Sequence, residues 1–184
     1  LAAAPNPTGA VYEERVISDL HRTVNPGDGV LVVDEIYSSL TYGVPVHTSL
    51  TISPSIVVVD GFSKAFAMTG WRLGWMVIPN ELVRPVQKIA QNVFISPPSI
   101  SQYGALAAFG AKDVLEEMRA TYEQRRNFML PRLRGLGFTI PVDPQGAFYI
   151  YAGIERWGND SMDFVERALA EDRVALTPGY DFGS

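Results

Sequence analysis

Two short runs of branched apolar residues constrain the fold of this chain most strongly. Val30–Val33 and Ile56–Val59 contain no polar residue, and each run is followed directly by an aspartate, Asp34 or Asp60. Uninterrupted apolar runs of this length are typical of strands buried on both faces, as in parallel sheets that helices cover. Because ligands bind beyond the carboxyl ends of parallel strands, Asp34 and the segment after Asp60 fall where a site would form.

Helical spacing of apolar residues and breaks at glycine and proline predict the other elements. The predicted helices cover 13–24, 80–93 (with Asn80 as cap), 99–110, 113–137 (kinked or ended by Pro131, terminated by Gly135 or Gly137) and 161–171. Further strands are predicted at 73–78, 138–142, 146–151 and 173–176. Strands that alternate with helices indicate an α/β fold with a parallel sheet. The later change to a helix followed by short strands predicts a second, smaller domain from about residue 113.

Composition excludes several classes of site. The net charge is −5, with 20 acidic and 15 basic residues, whereas nucleic-acid binding needs a basic face. No cysteine and only two histidines are present, so we expect no metal site. No apolar stretch is long enough to span a membrane, and residues 1–4 lack the pattern of a signal peptide. We therefore expect a cytoplasmic protein with neither nucleic acid nor membrane as a partner.

Four side chains carry the chemistry that the pattern suggests. Asp34 ends the first buried strand, and Tyr37 follows three residues later. Lys64 follows the second strand, and Arg72 comes eight residues after Lys64. An amine for an imine, a guanidinium for a phosphate and an acid for a ring nitrogen suit a phosphorylated aromatic aldehyde. We expect Trp71, Trp75, Phe148 and Tyr149 to be core or cleft wall.

The order and spacing of four motifs resemble those of one enzyme family. The motifs are Asn6-Pro7-Thr8-Gly9, Asp34-Glu35-Ile36-Tyr37, Ser63-Lys64 with Thr69-Gly70-Trp71-Arg72-Leu73-Gly74, and Pro178-Gly179 before Phe182-Gly183. They run the length of the chain, which resembles a fold-type I pyridoxal-phosphate-dependent aminotransferase of the class I/II family. The resemblance implies transfer of an amino group between an amino acid and a 2-oxo acid.

The resemblance also implies roles for individual residues. Lys64 would form the Schiff base with pyridoxal 5′-phosphate and move the proton at the substrate Cα. Asp34 would pair with the pyridinium nitrogen, while Asn6 and Tyr37 would hydrogen-bond the phenolic oxygen of the cofactor. Arg72 would bind the phosphate.

Ser63 is a further candidate ligand of the phosphate. Gly61 stands where many members of the family have a serine that binds the phosphate. The departure leaves the other implied contacts of Lys64 and Arg72 unchanged.

The implied fold is a three-layer α/β large domain of the pyridoxal-phosphate transferase type, followed by a small α+β domain. Residues 1–112 would be the C-terminal part of the large domain, and 113–184 most of the small domain. Family members extend upstream by a similar length and also continue past Ser184. We therefore expect a fragment that is inactive alone and a homodimer in the full-length protein.

Three alternatives stay open at the level of sequence. The same cofactor motifs serve carbon–sulfur lyases on this fold. Aminotransferase-like domains also act as pyridoxal-phosphate-binding effector domains of transcription regulators. The chain as it stands could also be a structural fragment only.

Overall fold

A computed structural model describes residues 1–27 and 29–183 as helices packed around a small sheet. The helices are α1 (Glu14–Val24), α2 (Asn80–Val93), α3 (Ser99–Ala108), α4 (Lys112–Leu136) and α5 (Ser161–Asp172). The strands are β1 (Val32–Asp34), β2 (Val57–Gly61) and β3 (Gly74–Val77). Single turns of 3-10 helix lie at Asn25–Gly27, Ser49–Thr51, Thr69–Trp71 and Gly179–Phe182. The predicted helices are thereby confirmed, although Asn80 is the first helical residue and Pro79 is its cap.

The sheet has the order β1-β2-β3. β1 and β2 are parallel, with Asp34 opposite Val59, and the segment that begins the chain runs parallel to β1 through an Ala2–Asp34 bridge. β2 and β3 are antiparallel, with Gly61 opposite Gly74. The expectation of parallel pairing is therefore right for β1 and β2 but wrong for β3. The short connection between β2 and β3 contains no crossover helix, and parallel pairing requires such a crossover.

One core cluster lies on the face of the sheet that α1 covers. It contains Ala3, Ile17, Val33, Ile56 and Val58. β2 is buried on both faces, as its apolar run predicts, but β1 is buried only at its central residue. The prediction that β1 is buried on both faces is therefore wrong for the described residues.

A second core cluster joins the strand ends to the C-terminal part of the chain. Ala4, Tyr37, Leu40, Ala65 and Ala147 are buried together there. A third, smaller cluster holds α3 against the loop after β2; its buried members are Phe62, Met68 and Ala105.

The chain after α4 differs most from expectation. The strands predicted at 138–142, 146–151 and 173–176 are wrong, because the described residues there form only the isolated bridges Thr139–Gly153 and Thr41–Gly146. α4 runs through Pro131 without ending. It stops at Gly137, whose left-handed backbone (φ +103°) is one that residues with a Cβ rarely adopt.

Large apolar side chains are exposed along α2, α3 and the turn between them. Val93, Ile95, Tyr103 and Leu106 each expose more than two thirds of their surface. Within the described ranges, no helix combines the length and the apolar character needed to cross a bilayer.

The location of the core can be tested with one substitution made at two isoleucines. Ile56 is fully buried, whereas Ile89 on α2 is 63% exposed. Ile56→Ala should lower the free energy of unfolding by about 2 to 5 kcal/mol, because it leaves a cavity. Ile89→Ala should change it by less than about 0.5 kcal/mol. Urea unfolding of the chain followed by circular dichroism measures both, and equal losses would contradict the assignment of the core.

Candidate active site

Two of the predicted site residues, Asp34 and Lys64, follow the paired strands β1 and β2. Asp34 is the last residue of β1, and Lys64 lies three residues beyond the end of β2. Because β1 and β2 are parallel, both residues lie at one edge of the sheet. The Asp34 carboxylate is exposed, and its Oδ1 accepts a hydrogen bond of 3.0 Å from the Ile36 amide. That bond begins the turn that carries Tyr37.

Tyr37 lies between this acid and the lysine. The turn is closed by a bond of 2.8 Å from the Ser38 amide to the Glu35 carbonyl. The Lys64 Nζ lies 5.9 Å from the centre of the Tyr37 ring. Within residues 1–27 and 29–183, the Lys64 amine makes no hydrogen bond or ion pair, so it is available to a ligand. Tyr37 is thus near both Asp34 and Lys64.

The hydroxyl of Tyr37 meets a residue that the sequence did not assign to the site. Its oxygen lies 2.8 Å from the hydroxyl oxygen of Tyr149, and either group can donate. Burial is the main cause that raises the pKa of Tyr37 well above its ordinary value, with the Tyr149 hydrogen bond and the Asp34 charge adding to it. Tyr37 therefore stays protonated and keeps a hydroxyl proton to donate.

Asn6 is brought to the same edge by backbone pairing. The residues before it run alongside β1, since the Ala3 amide donates to the Asp34 carbonyl at 2.8 Å. The chain then turns at Gly9, whose carbonyl accepts the amides of Gln145 and Gly146 at 2.8 and 2.9 Å. The Asn6 side chain itself is exposed.

Arg72 and Ser63 make no hydrogen bond or ion pair with the other predicted site residues in the described parts of the chain. Arg72 follows the 3-10 turn Thr69–Trp71 in a left-handed conformation (φ +52°), and its guanidinium donates to the Thr69 carbonyl at 2.9 Å. Its side chain is exposed, while Ser63 beside Lys64 is partly buried. The structure therefore places both on the loop that follows β2 and leaves their assignment as phosphate ligands untested.

Two further carboxylates lie behind this edge. Glu35 is buried, and its Oε1 accepts a hydrogen bond of 2.6 Å from the Ser49 amide. Asp60 accepts a bond of 2.6 Å from the Gly61 amide. Burial, with smaller contributions from the charges of Glu35 and Asp34, raises the pKa of Asp60 from 3.8 to about 6, although the Gly61 bond opposes the shift.

Comparison with known proteins assigns the chain to a family. The family model for aminotransferase class I and II matches residues 1–184. The chain belongs to the class I and II aminotransferases. Proteins of this family use pyridoxal phosphate as their cofactor, and the neighbouring structures share the α/β fold of pyridoxal-phosphate transferases.

Curated relatives and solved structures agree on this family. The chain is 37% identical over 191 residues to an aspartate aminotransferase from Bacillus subtilis, covering 97% of the chain and 48% of the relative. It is 37% identical over 186 residues to a valine–pyruvate aminotransferase from Mycobacterium tuberculosis, covering 99% and 48%. The crystal structure of an aminotransferase from Mycobacterium tuberculosis superposes with a TM-score of 0.95 at 37% identity, covering 100% of this chain and 48% of that one. The chain therefore spans about half the length of these relatives.

The residues at the strand ends fit the cofactor of the family. An aldehyde needs an amine that no carboxylate already holds, and Lys64 meets that requirement within the described residues. A phenolic oxygen needs a donor, and the protonated Tyr37 lies beside Lys64. The exposed carboxylate of Asp34 can accept a hydrogen bond from a protonated ring nitrogen.

Reasoning from sequence did not find the hydrogen bond between Tyr149 and Tyr37 or the raised pKa of Asp60. Tyr149 lies 112 positions from Tyr37, so no local spacing connects the two residues. The expectation that Tyr149 is a cleft wall is compatible with its partial burial, but the hydrogen bond gives it a polar function as well. The raised pKa of Asp60 could have been expected, because Asp60 directly follows the apolar residues of a strand that is buried on both faces.

The raised pKa of Asp60 predicts a pH dependence of stability. The folded state holds this proton more tightly than the unfolded chain, so the contribution is present below pH 4 and is lost as the pH rises through about 6. Asp60→Asn keeps the acceptor for the Gly61 amide and removes the charge. The free energy of unfolding of Asp60→Asn, measured relative to that of the wild type, should therefore rise by roughly 1 to 2 kcal/mol as the pH goes from 4 to 7.

Urea unfolding at a series of pH values measures this difference. Asp181→Asn, at an exposed aspartate, serves as the matched control and should show no comparable gain. A difference between Asp60→Asn and the wild type that does not change with pH would contradict the prediction.

Proposed function

We propose that the chain provides the cofactor-binding residues of an aminotransferase that moves an amino group between an amino acid and a 2-oxo acid. One observation supports this most directly: Lys64, Tyr37 and Asp34 lie together at the carboxyl edge of a parallel strand pair, in a member of the class I and II aminotransferases. The relatives described above support the activity, since their names are those of aminotransferases.

The cofactor supplies, when bound, an aldehyde that condenses with amines and a ring that accepts electrons from the substrate carbon. Lys64 provides the amine that holds the aldehyde, and the same amine accepts and returns the proton at the substrate Cα. Asp34 would pair with the protonated ring nitrogen through its exposed carboxylate.

The remaining contacts would hold the cofactor in place. Tyr37 donates its hydroxyl proton to the phenolic oxygen, and Asn6 donates its side-chain amide to the same atom. Arg72 would hold the phosphate with the guanidinium N–H groups that do not donate to the Thr69 carbonyl. Ser63 is a further phosphate ligand in this proposal.

The lyase and regulator alternatives are not favoured by the comparisons, because the relatives described are aminotransferases. The division into domains at 112/113 stays a prediction. It is supported by the sheet, whose three strands all precede α4. A small α+β domain after residue 113, a cytoplasmic location and a homodimer stay predictions that rest on the resemblance.

Trapping with borohydride tests the role of Lys64. The chain has only three lysines, and Lys88 and Lys112 are more exposed than Lys64. A reagent without a binding site would therefore label Lys64 least. After incubation with pyridoxal phosphate and reduction, peptide mass mapping should find the pyridoxyl group mainly on Lys64.

The control is Lys64→Ala, which should lose the selective adduct and keep the weak labelling of the two other lysines. Labelling that follows exposure in the wild type, strongest on Lys88 and Lys112, would contradict a built cofactor site in this chain.

The role of Asp34 predicts a separate loss. In protein with measurable transaminase activity, Asp34→Ala should still bind the cofactor through Lys64 but lower kcat by about 10²-fold or more, because the ring nitrogen loses its charged partner. Stopped-assay product formation measures kcat, and absorbance of the bound cofactor measures occupancy. Asp181→Ala, at an exposed acid, is the control, and normal turnover by Asp34→Ala would refute the pairing.

A further inference from the structure

The hydrogen bond between two phenols is the feature of this site that the proposed function does not use. The Tyr37 and Tyr149 hydroxyl oxygens are 2.8 Å apart. The two rings meet edge to face, with centres 5.7 Å apart and planes at 84°. Phe148 also meets the Tyr37 ring edge to face, at 5.5 Å. The Tyr37 ring therefore packs against two consecutive aromatic residues from a distant part of the chain.

The segment that carries Tyr149 is fixed by the backbone. The Ala147 amide donates to the Leu40 carbonyl at 2.8 Å, and the Tyr42 hydroxyl donates to the Ala147 carbonyl. Ala147 is almost fully buried and adopts a left-handed conformation (φ +59°). Such a backbone persists in a non-glycine residue only where its surroundings determine it. The position of the Tyr149 hydroxyl is therefore set by packing and not by a free loop.

The number of protons on the two hydroxyls decides what the pair can do. A phenol has one proton to donate and lone pairs to accept with. If the Tyr37 hydroxyl donates its hydrogen bond to the phenolic oxygen of the cofactor, it has no second proton with which to donate to Tyr149. Tyr149 must then be the donor in the bond between them.

We propose that Tyr149 is a positioning residue for Tyr37: it donates to the Tyr37 oxygen and so directs the Tyr37 proton toward the cofactor. This inference rests on the proposed function, in which Tyr37 donates to the phenolic oxygen. A donor on the Tyr37 oxygen also polarises its O–H bond and strengthens the bond that Tyr37 donates. The charged groups nearest to the pair on the described contacts are Lys64 and Asp34.

The pKa of the lysine-bound cofactor is the measurement that tests the inference. Donation by Tyr37 to the phenolic oxygen lowers this pKa, because it stabilises the negative oxygen that remains when the Lys64 nitrogen loses its proton. Tyr149→Phe should therefore raise the pKa by roughly 0.5 to 1 pH unit. It keeps the aromatic ring that packs on Tyr37, so the core is preserved.

A double-mutant cycle separates positioning from a general effect on structure. Tyr37→Phe should raise the same pKa by more than Tyr149→Phe does. The double variant should match Tyr37→Phe alone, because Tyr149 acts only through Tyr37. Tyr151→Phe, two residues along the same segment, is the control and should leave the pKa unchanged.

Each result of the pH titration of absorbance has a distinct meaning. A raised pKa in Tyr149→Phe that disappears in the Tyr37→Phe background supports the inference. An unchanged pKa in Tyr149→Phe, or an added effect in the double variant, overturns the inference and leaves the proposed function intact. Absorbance that is the same in Lys64→Ala as in the wild type overturns the proposed function and the inference together.

Discussion

The parallel pairing of β1 with β2 is the constraint on which the rest of the site depends. The register that sets Asp34 opposite Val59 directs both strand ends to the same edge of the sheet. It thereby places an acid and, three residues beyond the second strand, an amine within one small volume. The parallel bridge between Ala2 and Asp34 aligns a third segment with the two strands, and this segment brings Asn6 to the same edge. An antiparallel pairing of the same two segments would separate Asp34 from Lys64 by the length of a strand.

The site is also part of the core, which explains how its geometry is held. Tyr37 is 6% exposed and belongs to the same cluster as Ala4, Ala65 and Ala147. Packing fixes its ring, the turn from Asp34 fixes its backbone, and Tyr149 meets its hydroxyl. Helix α4 supports this arrangement from outside, since a guanidinium on it, that of Arg126, donates to the Pro144 carbonyl at 3.0 Å. A substitution in the segment after α4 should therefore alter the position of Tyr37 through packing and the Tyr149 hydrogen bond.

Local signals predicted the parts of the fold that local interactions determine. The apolar run at 56–59 predicts a buried strand because only apolar side chains suit a strand that is covered on both faces. Gly137 ends α4 because the left-handed backbone there (φ +103°) favours glycine. The apolar run of β3 is compatible with either pairing, so its direction follows only from the short connection before it, which contains no crossover helix. The segment at 146–151 has strand-like composition, but its backbone bonds go to Gly9 and Leu40, which are more than 100 positions away. The hydrogen bond between Tyr37 and Tyr149 could not be predicted from local sequence either, because the two residues are 112 positions apart.

The distribution of charge at this edge gives the site a direction. Asp34, Glu35 and Asp60 lie at the strand ends, close enough for the first two to raise the pKa of the third. Lys64 and Arg72 lie on the loop that follows β2. In the proposed function, this distribution would favour one orientation of the cofactor, with its ring nitrogen toward the acids and its phosphate toward Arg72. The raised pKa of Asp60 removes part of the negative charge below about pH 6, so this orienting field is strongest above that pH. In the proposed function the exposed Asp34 would face the cofactor, while Glu35 and the partly buried Asp60 lie behind it.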